Sequence, residues 1–466
     1  MSTSSSAPNT PLIARVATFL RGLNLLQPLQ ICLLGSSFAM KRFGYDENSI
    51  SVFVGFCHNS MELVYLVSAL TTFLLLSLSN LHDDTFKWFS CVYSSISVIF
   101  TVVVNVLLLR AYAFGEGNDN IVMYYRMLVL SNLAAGIDDM CISTIAADCL
   151  SQYDFGQAMI GIVVSVFHWI AIKVLTKLEK DVNYWLIVAQ LIFITILSAI
   201  AAVVWIVYLI QDKIIGNGSA QKKEDSQAGN LGKGISQTLP MIVICTVGYG
   251  IIYVVYPLIS PFEMVDYPYH YPIQRVCLIF HAISGLTVWI IDISGGLKKS
   301  WYKGKMAWLH LMWLLLIPFI GTAILFIYCM HYPDSWFGRA IINKPMVVGC
   351  LTVIYYYTAR FTTGISYVAI DANGDGKGQI LSAFNLAINL VSLNAIKYIS
   401  EAYIQQFRIT KRNCKNGQPW PTDGMTAFSA FAYWCRIGTE HGFKNFRELS
   451  SADVKKLLEN TQAHKP

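Results

Sequence analysis

Charge is what this sequence has least of. Its 466 residues include 34 Lys and Arg and 28 Asp and Glu, 13% of the chain, where a soluble domain carries about 25%. So few charges cannot cover the surface of a water-soluble protein of this length. Motifs for chemistry are missing too: no C-x-x-C, G-x-x-x-x-G-K-[ST], H-E-x-x-H or G-x-S-x-G occurs. His168, His281 and His310 each stand alone on an apolar stretch, without metal-site spacing, and read as core histidines. No basic patch resembles a nucleic-acid footprint. Collagen-like, disordered and disulfide-scaffold classes fail on composition. Nine of the eleven Cys, Cys32 to Cys350, lie in apolar stretches and read as small core residues. Cys414 and Cys435 lie near the end and are placed to pair only in an oxidising compartment.

What is abundant is apolar surface, 55% of the residues. Windows free of charge run over 22–40, 63–82, 88–109, 155–172, 182–211, 234–262, 306–333 and 378–396. Most approach or exceed the ~20 residues that cross ~30 Å of hydrocarbon. The stretches 122–147, 276–297 and 345–370 are equally apolar apart from isolated charges. The expectation is an all-α polytopic membrane protein with about eleven transmembrane helices, centred near residues 30, 65, 99, 135, 165, 197, 250, 286, 320, 358 and 390. The short alternating strands of a barrel are not present in the pattern.

The expected organisation has five parts. A polar N-terminus, 1–11, precedes a six-helix bundle over 12–210; Pro11–Met40 reads as a retained first span rather than a cleaved signal. A flexible hydrophilic loop, 211–237, rich in Gly, Ser, Gln and Lys, precedes a five-helix bundle over 238–406. Two helical bundles joined by such a loop, here 6+5, are a common build of secondary transporters, with the substrate path between them. A tail, 407–466, follows: Met425–Cys435 is about half the length of a span and is placed at the interface, and Leu449–Asn460 reads as a short helix capped by Ser450 or Ser451. The Lys298–Lys305 cluster and the central loop favour a cytoplasmic N-terminus.

Charges inside spans are expensive and are functional candidates by default. They are Glu62, Asp138, Asp139, Asp292, Arg360 and Lys397. Asp138 and Asp139 sit mid-span among small residues, as a polar site for substrate or protons, or as an ion pair with Arg126 or Arg360. Asp292 precedes a Gly pair at the end of the eighth span, and holds either substrate hydroxyls or a neighbouring helix. Glu62 has His58 one turn before it. Lys397 and Glu401, at i and i+4, read as a snorkelling pair. Asp371-Ala-Asn373-Gly-Asp375-Gly376-Lys377 resembles half a calcium loop, but position 12 is Ser382, so it reads as a tight turn between spans.

Three short motifs resemble the equilibrative nucleoside transporters. Gly156-Gln157, followed by Gly161 and then Ser165-Val166, resembles that family's fifth span. Asp292-Ile-Ser-Gly295 resembles its Asp-x-x-Gly-Arg, with Gly296 in place of the Arg. Leu25-Leu26-Gln27-Pro28-Leu29-Gln30 resembles its Leu-Leu-Pro-Trp-Asn, with Leu29 in place of the Trp and Gln30 in place of the Asn. The resemblance covers residues 12–406. It implies facilitated or proton-linked movement of nucleosides or nucleobases through a 6+5 major-facilitator-like fold with one helix missing, with Gln30 and Asp292 contacting substrate. Ala135 falls where the family often carries a purine-reading Gln, one turn before Asp138 and Asp139.

The expected function is thus a plasma-membrane transporter working by alternating access, with Gln30, Asp138, Asp139, Asp292 and Arg360 as substrate-binding residues. Its partners are a small-molecule substrate, the lipid bilayer and, as a candidate coupling ion, protons; no cofactor, metal, nucleic acid or enzymatic role is expected. The alternatives are a non-transporting scaffold or receptor whose tail binds a partner, and a lipid-modifying intramembrane enzyme, for which the histidines are too scattered.

Overall fold

The computed structural model describes residues 11–46, 48–79, 83–117, 120–146, 149–211, 231–297, 310–373, 378–415, 417–449, 454–455 and 458. Among them there is no strand. In lipid each backbone N–H and C=O must be satisfied within its own segment, and the helix does this for any apolar sequence.

The first span is broken. It comprises α1 (Leu12–Leu25), α2 (Gln27–Leu34) and α3 (Ser36–Arg42), with a 57° bend before α3. Pro28 sits in the first turn of α2, where its missing N–H costs nothing. There follow α4 (Asn48–Ser79), α5 (Asp83–Ala113), α6 (Ile121–Ile145), α7 (Leu150–Lys177) and α8 (Val182–Tyr208). Asp181 caps α8, accepting from the Asn183 backbone N–H at 3.0 Å. The second set is α9 (Leu231–Val255), α10 (His270–Ile293), α11 (Met312–His331), the short α12 (Trp336–Ile341), α13 (Pro345–Asn373) and α14 (Gly378–Lys415), and α15 (Ala427–Leu449) closes the series.

Each of the eleven expected span centres falls within a helix. Nine described helices are long and apolar enough to cross a membrane, and the bent first span makes ten. Helix α13 is 29 residues long, about 43 Å, but carries Arg360 and many hydroxyls among its apolar residues. Exposed apolar side chains such as Ile96, Val103, Ile196, Val203, Ile317 and Ile324 face outward, as lipid requires.

Two local expectations are corrected. Helix α9 begins at Leu231, so the last residues assigned to the central loop are helical; residues 212–230 lie outside the described set. Residues 374–377 of the calcium-loop-like turn lie outside it too, as does the whole of Lys298–Lys305. In the tail, most of Met425–Cys435 belongs to a longer helix. Helix α14 continues unbroken to Lys415, and α15, 23 residues long, folds back along it. Gly438 and Gly442 bring α15 against the backbone carbonyls of Ile399 and Tyr398, and Trp434 joins Tyr403, Phe407, Trp420 and His331 in an aromatic cluster. Beyond α15, Val454 and Leu458 are buried with the apolar residues of α2–α6 and α8. Cys414 and Cys435 are both free thiols.

The core is divided. The largest apolar cluster runs from Met241 to Trp434, in α9–α15. Two others are built from α1–α8, one of them joined by Ala383, Leu386 and Leu390 of α14. Within α1–α8, helices α1 and α7 cross in backbone contact. A Cβ on Gly22 would overlap the Tyr153 carbonyl, and one on Gly156 would overlap the Phe19 carbonyl. One further contact ties α1 to α6: the fully buried Arg21 pairs with Asp138, whose other oxygen lies 3.4 Å from Ser97 Oγ. The partner expected for the acidic pair was Arg126 or Arg360; Asp138 pairs with Arg21 instead, Arg126 is exposed, and Arg360 lines the same cavity as Asp139.

Two outcomes follow. Gly156→Leu should lower the Tm in detergent by several degrees, from an overpacking cost of roughly 1–3 kcal/mol, while Gly55→Ala, with nothing within 4 Å of the added carbon, should be neutral. Asp138→Leu alone strands a buried guanidinium, a loss of roughly 3–5 kcal/mol. The double variant Arg21→Met/Asp138→Leu should recover most of that Tm. Failure to recover would contradict a structural role for the pair.

Candidate functional site

Where the two sets of helices meet, the packing leaves a cavity of two lobes, each about 30 Å³. Leu26, Leu29, Gln157, Tyr253 and Arg360 line both lobes and join them into one site. The residues come from the broken α2, from α7, from α9 and from α13, so neither set forms the site alone.

The lobes differ in chemistry. The first adds Gln30, Gln274, His281, Tyr256 and Tyr356: neutral amides and aromatic rings, suited to stacking and to two-way hydrogen bonding. The second adds Glu62, Tyr65, Asn132, Asp139 and Tyr249, an acidic and hydroxyl-rich surface. Arg360 stands between them. Its guanidinium lies 5.2 Å from the Tyr356 ring centre, in cation–π range, and its Nη2 is 3.4 Å from the Tyr253 hydroxyl. Asp139 accepts a hydrogen bond from the Tyr65 hydroxyl. Asp154 approaches Gly364, one turn beyond Arg360, which leaves only enough space there for a residue without a side chain.

On either side of the cavity the two sets touch through polar contacts. On the face where α1 begins, Ser151 Oγ on α7 donates to Asp292 Oδ2 on α10 at 2.6 Å. Close by, Gly285 packs on Ala158, and an added carbon on Gly161 would lie 2.6 Å from the Leu278 Cβ. On the opposite side, Asn59 on α4 donates to Glu401 on α14, and Tyr398 reaches the Asn59 carbonyl at 3.5 Å. The cavity between holds about two waters per lobe by volume. A solute of drug size needs about 300 Å³ or more, so entry requires the two sets to separate.

The five residues expected to bind substrate are therefore dispersed. Gln30, Asp139 and Arg360 line the cavity, as does Ala135. Asp138 is turned away into its pair with Arg21, because adjacent positions on a helix point about 100° apart. Asp292 is held by Ser151 at the edge of the seam and lines neither lobe.

Two further expectations change. Lys397 does not snorkel: it is 1% exposed, and its ammonium has no hydrogen-bond partner among the described residues. His281 lines the first lobe, whereas His168 is a core histidine, 2.8 Å from the Gln190 side chain. The residues missed were the tyrosines Tyr253, Tyr256 and Tyr356 and the amide Gln274; a polar tip inside an apolar window is their only signal in sequence.

The chain matches no protein-family model and no curated protein. It is similar in structure to a double-tryptophan variant of XylE, at TM-score 0.53 and 13% identity over 96% of this chain and 97% of that one. The inward-open xylose transporter XylE from E. coli aligns at TM-score 0.48 and 12% identity over 93% and 94%, and a variant of the nucleoside transporter NupG at 0.43 and 14% over 93% and 98%. The all-helical fold of this chain is thus similar to that of the XylE variant.

Proposed function

We propose that this protein is a membrane transporter that carries nucleosides or nucleobases by alternating access. One observation supports this most: a single cavity, shared between two sets of helices, lies between two polar contacts that each join one set to the other. Separating the Ser151–Asp292 contact opens the cavity to one face, and separating Asn59–Glu401 opens it to the other. In this reading Asp292 governs opening, and Asp138 acts through Arg21 to fix α6 rather than by touching the solute.

The lining favours a flat, neutral, hydrogen-bonding solute. A heterocyclic base stacks against Tyr253, Tyr256 and Tyr356, while the amides of Gln30, Gln157 and Gln274 meet its ring nitrogens and carbonyls. Ribose hydroxyls donate to the carboxylates of the second lobe, Asp139 and Glu62. Arg360 balances those carboxylates and bridges the lobes. Of the residues that the nucleoside-transporter resemblance marks, Gln30 and Gln157 are among these and Asp292 is not. The reading in which the tail reaches for a partner has less support, because α15 is packed along α14.

In transport-deficient cells the protein should take up radiolabelled adenosine, uridine or hypoxanthine. Arg360→Gln should reduce that uptake at least ten-fold with unchanged surface expression. Normal uptake by that variant would contradict the site, and no uptake of any of the three by the wild type would contradict the substrate class.

A further inference from the structure

Beside the cavity, two helix-spaced pairs of ionisable residues face each other across the seam. On α4, His58 and Glu62 are one turn apart, with Nε2 3.3 Å from Oε1. On α14, Lys397 and Glu401 are one turn apart, and all four residues are at least 90% buried. Asn59 donates to Glu401 and ties the pairs together. The Lys397 ammonium is aimed into this group: it lies 5.8 Å from the Tyr253 ring centre, acts electrostatically on Glu62 and Glu401, and hydrogen-bonds to nothing among the described residues. The other groups that face it are Tyr398 of α14, Cys32 of α2, Cys57 of α4, Tyr125 of α6 and Arg360 of α13. On α15, His441 Nδ1 lies 3.3 Å from the Gln406 side chain of α14.

The charge count is unequal. Three carboxylates, Glu62, Glu401 and Asp139, share two cations, Lys397 and Arg360, with the His58 imidazole counted as neutral. A buried group with a surplus negative charge is costly, and binding one proton removes the surplus. Glu401 is the member whose charge also holds the two sets together. Protonated, it keeps a weaker neutral contact with Asn59 in place of a charge-assisted one, so the seam on that face loosens.

We propose that Glu401, with Lys397 and Glu62, is a proton-binding site that couples solute movement to a proton gradient. The inference rests on the nucleoside-transporter reading, with Glu401 lying outside the solute cavity. Per cycle one proton is taken up on the face to which the Asn59–Glu401 side opens, and it is released from the same carboxylate when the Ser151–Asp292 side opens; no covalent bond changes.

The test uses the full-length protein in liposomes and radiolabelled adenosine, with two readings. Counterflow at equal pH on both sides reports exchange alone, and accumulation under an inward proton gradient reports coupling. Wild type should accumulate adenosine at least five-fold above equilibrium. Glu401→Gln should keep counterflow within about three-fold and reach equilibrium only. Wild type with counterflow but no accumulation overturns the coupling and leaves the substrate reading standing; wild type with neither overturns both. Accumulation by Glu401→Gln overturns the assignment to Glu401. If Glu401→Gln is not monodisperse, Glu401→Asp should accumulate adenosine with a displaced pH profile, and an unchanged profile overturns the assignment.

Discussion

Every polar feature of this structure answers to the cost of holding charge away from water. Most buried charged groups of the core have a partner: Arg21 with Asp138, Asp139 with Tyr65, Asp292 with Ser151, Glu401 with Asn59, and Arg360 with Tyr253 and the Tyr356 ring. A salt bridge buried this way adds little net stability, but removing one partner leaves the other stranded. That asymmetry separates two kinds of contact here. Arg21–Asp138 lies within one set of helices and acts as a fastener, whereas Ser151–Asp292 and Asn59–Glu401 run between sets and can be broken and remade without unfolding either core.

The packing supports that division. The largest apolar cluster is confined to the second set, whereas two smaller ones reach across the seam, through Ala383, Leu386 and Leu390 of α14 and through Leu278 of α10. The seam itself is made of small residues and polar tips: Gly161 and Gly285 allow α7 and α10 to touch, and the cavity beyond them is too narrow for a solute of nucleoside size. Motion between closely packed bodies, rather than flexing of one of them, is what such an arrangement permits. Helix α15 lies along α14, and Val454 and Leu458 are buried with the other set, so the end of the chain touches both.

The fold was largely legible in the sequence because lipid imposes one simple rule, a helix wherever about 20 apolar residues run together. Each of the eleven expected centres falls within a helix, and among the described residues nine helices, or ten with the bent first span, are long and apolar enough to cross. The rule failed at α15, whose Arg436, Glu440 and Lys444 disguise a helix that packs through Gly438 and Gly442 rather than through apolar bulk. The site was legible only in its charges. Arg360 and Asp139 stood out as intramembrane ions, and Gln30 by its motif. The tyrosines did not stand out, since a Tyr in an apolar window is as often core as lining. The fate of Asp138 was not readable at all: it depends on Arg21 reaching it from another helix, and pairing between helices leaves no periodicity in one sequence.

The central claim is that solute crosses only when the Ser151–Asp292 contact separates. Replacing the less buried thiols Cys350, Cys414 and Cys435 by Ser, and introducing Ser151→Cys with Asp292→Cys, allows that contact to be locked with a short thiol-specific cross-linker and released with a cleavable one. Locked protein in liposomes should show less than a tenth of the adenosine counterflow of the uncross-linked sample, and cleavage of the linker should restore it. Undiminished counterflow through fully cross-linked protein would contradict the account.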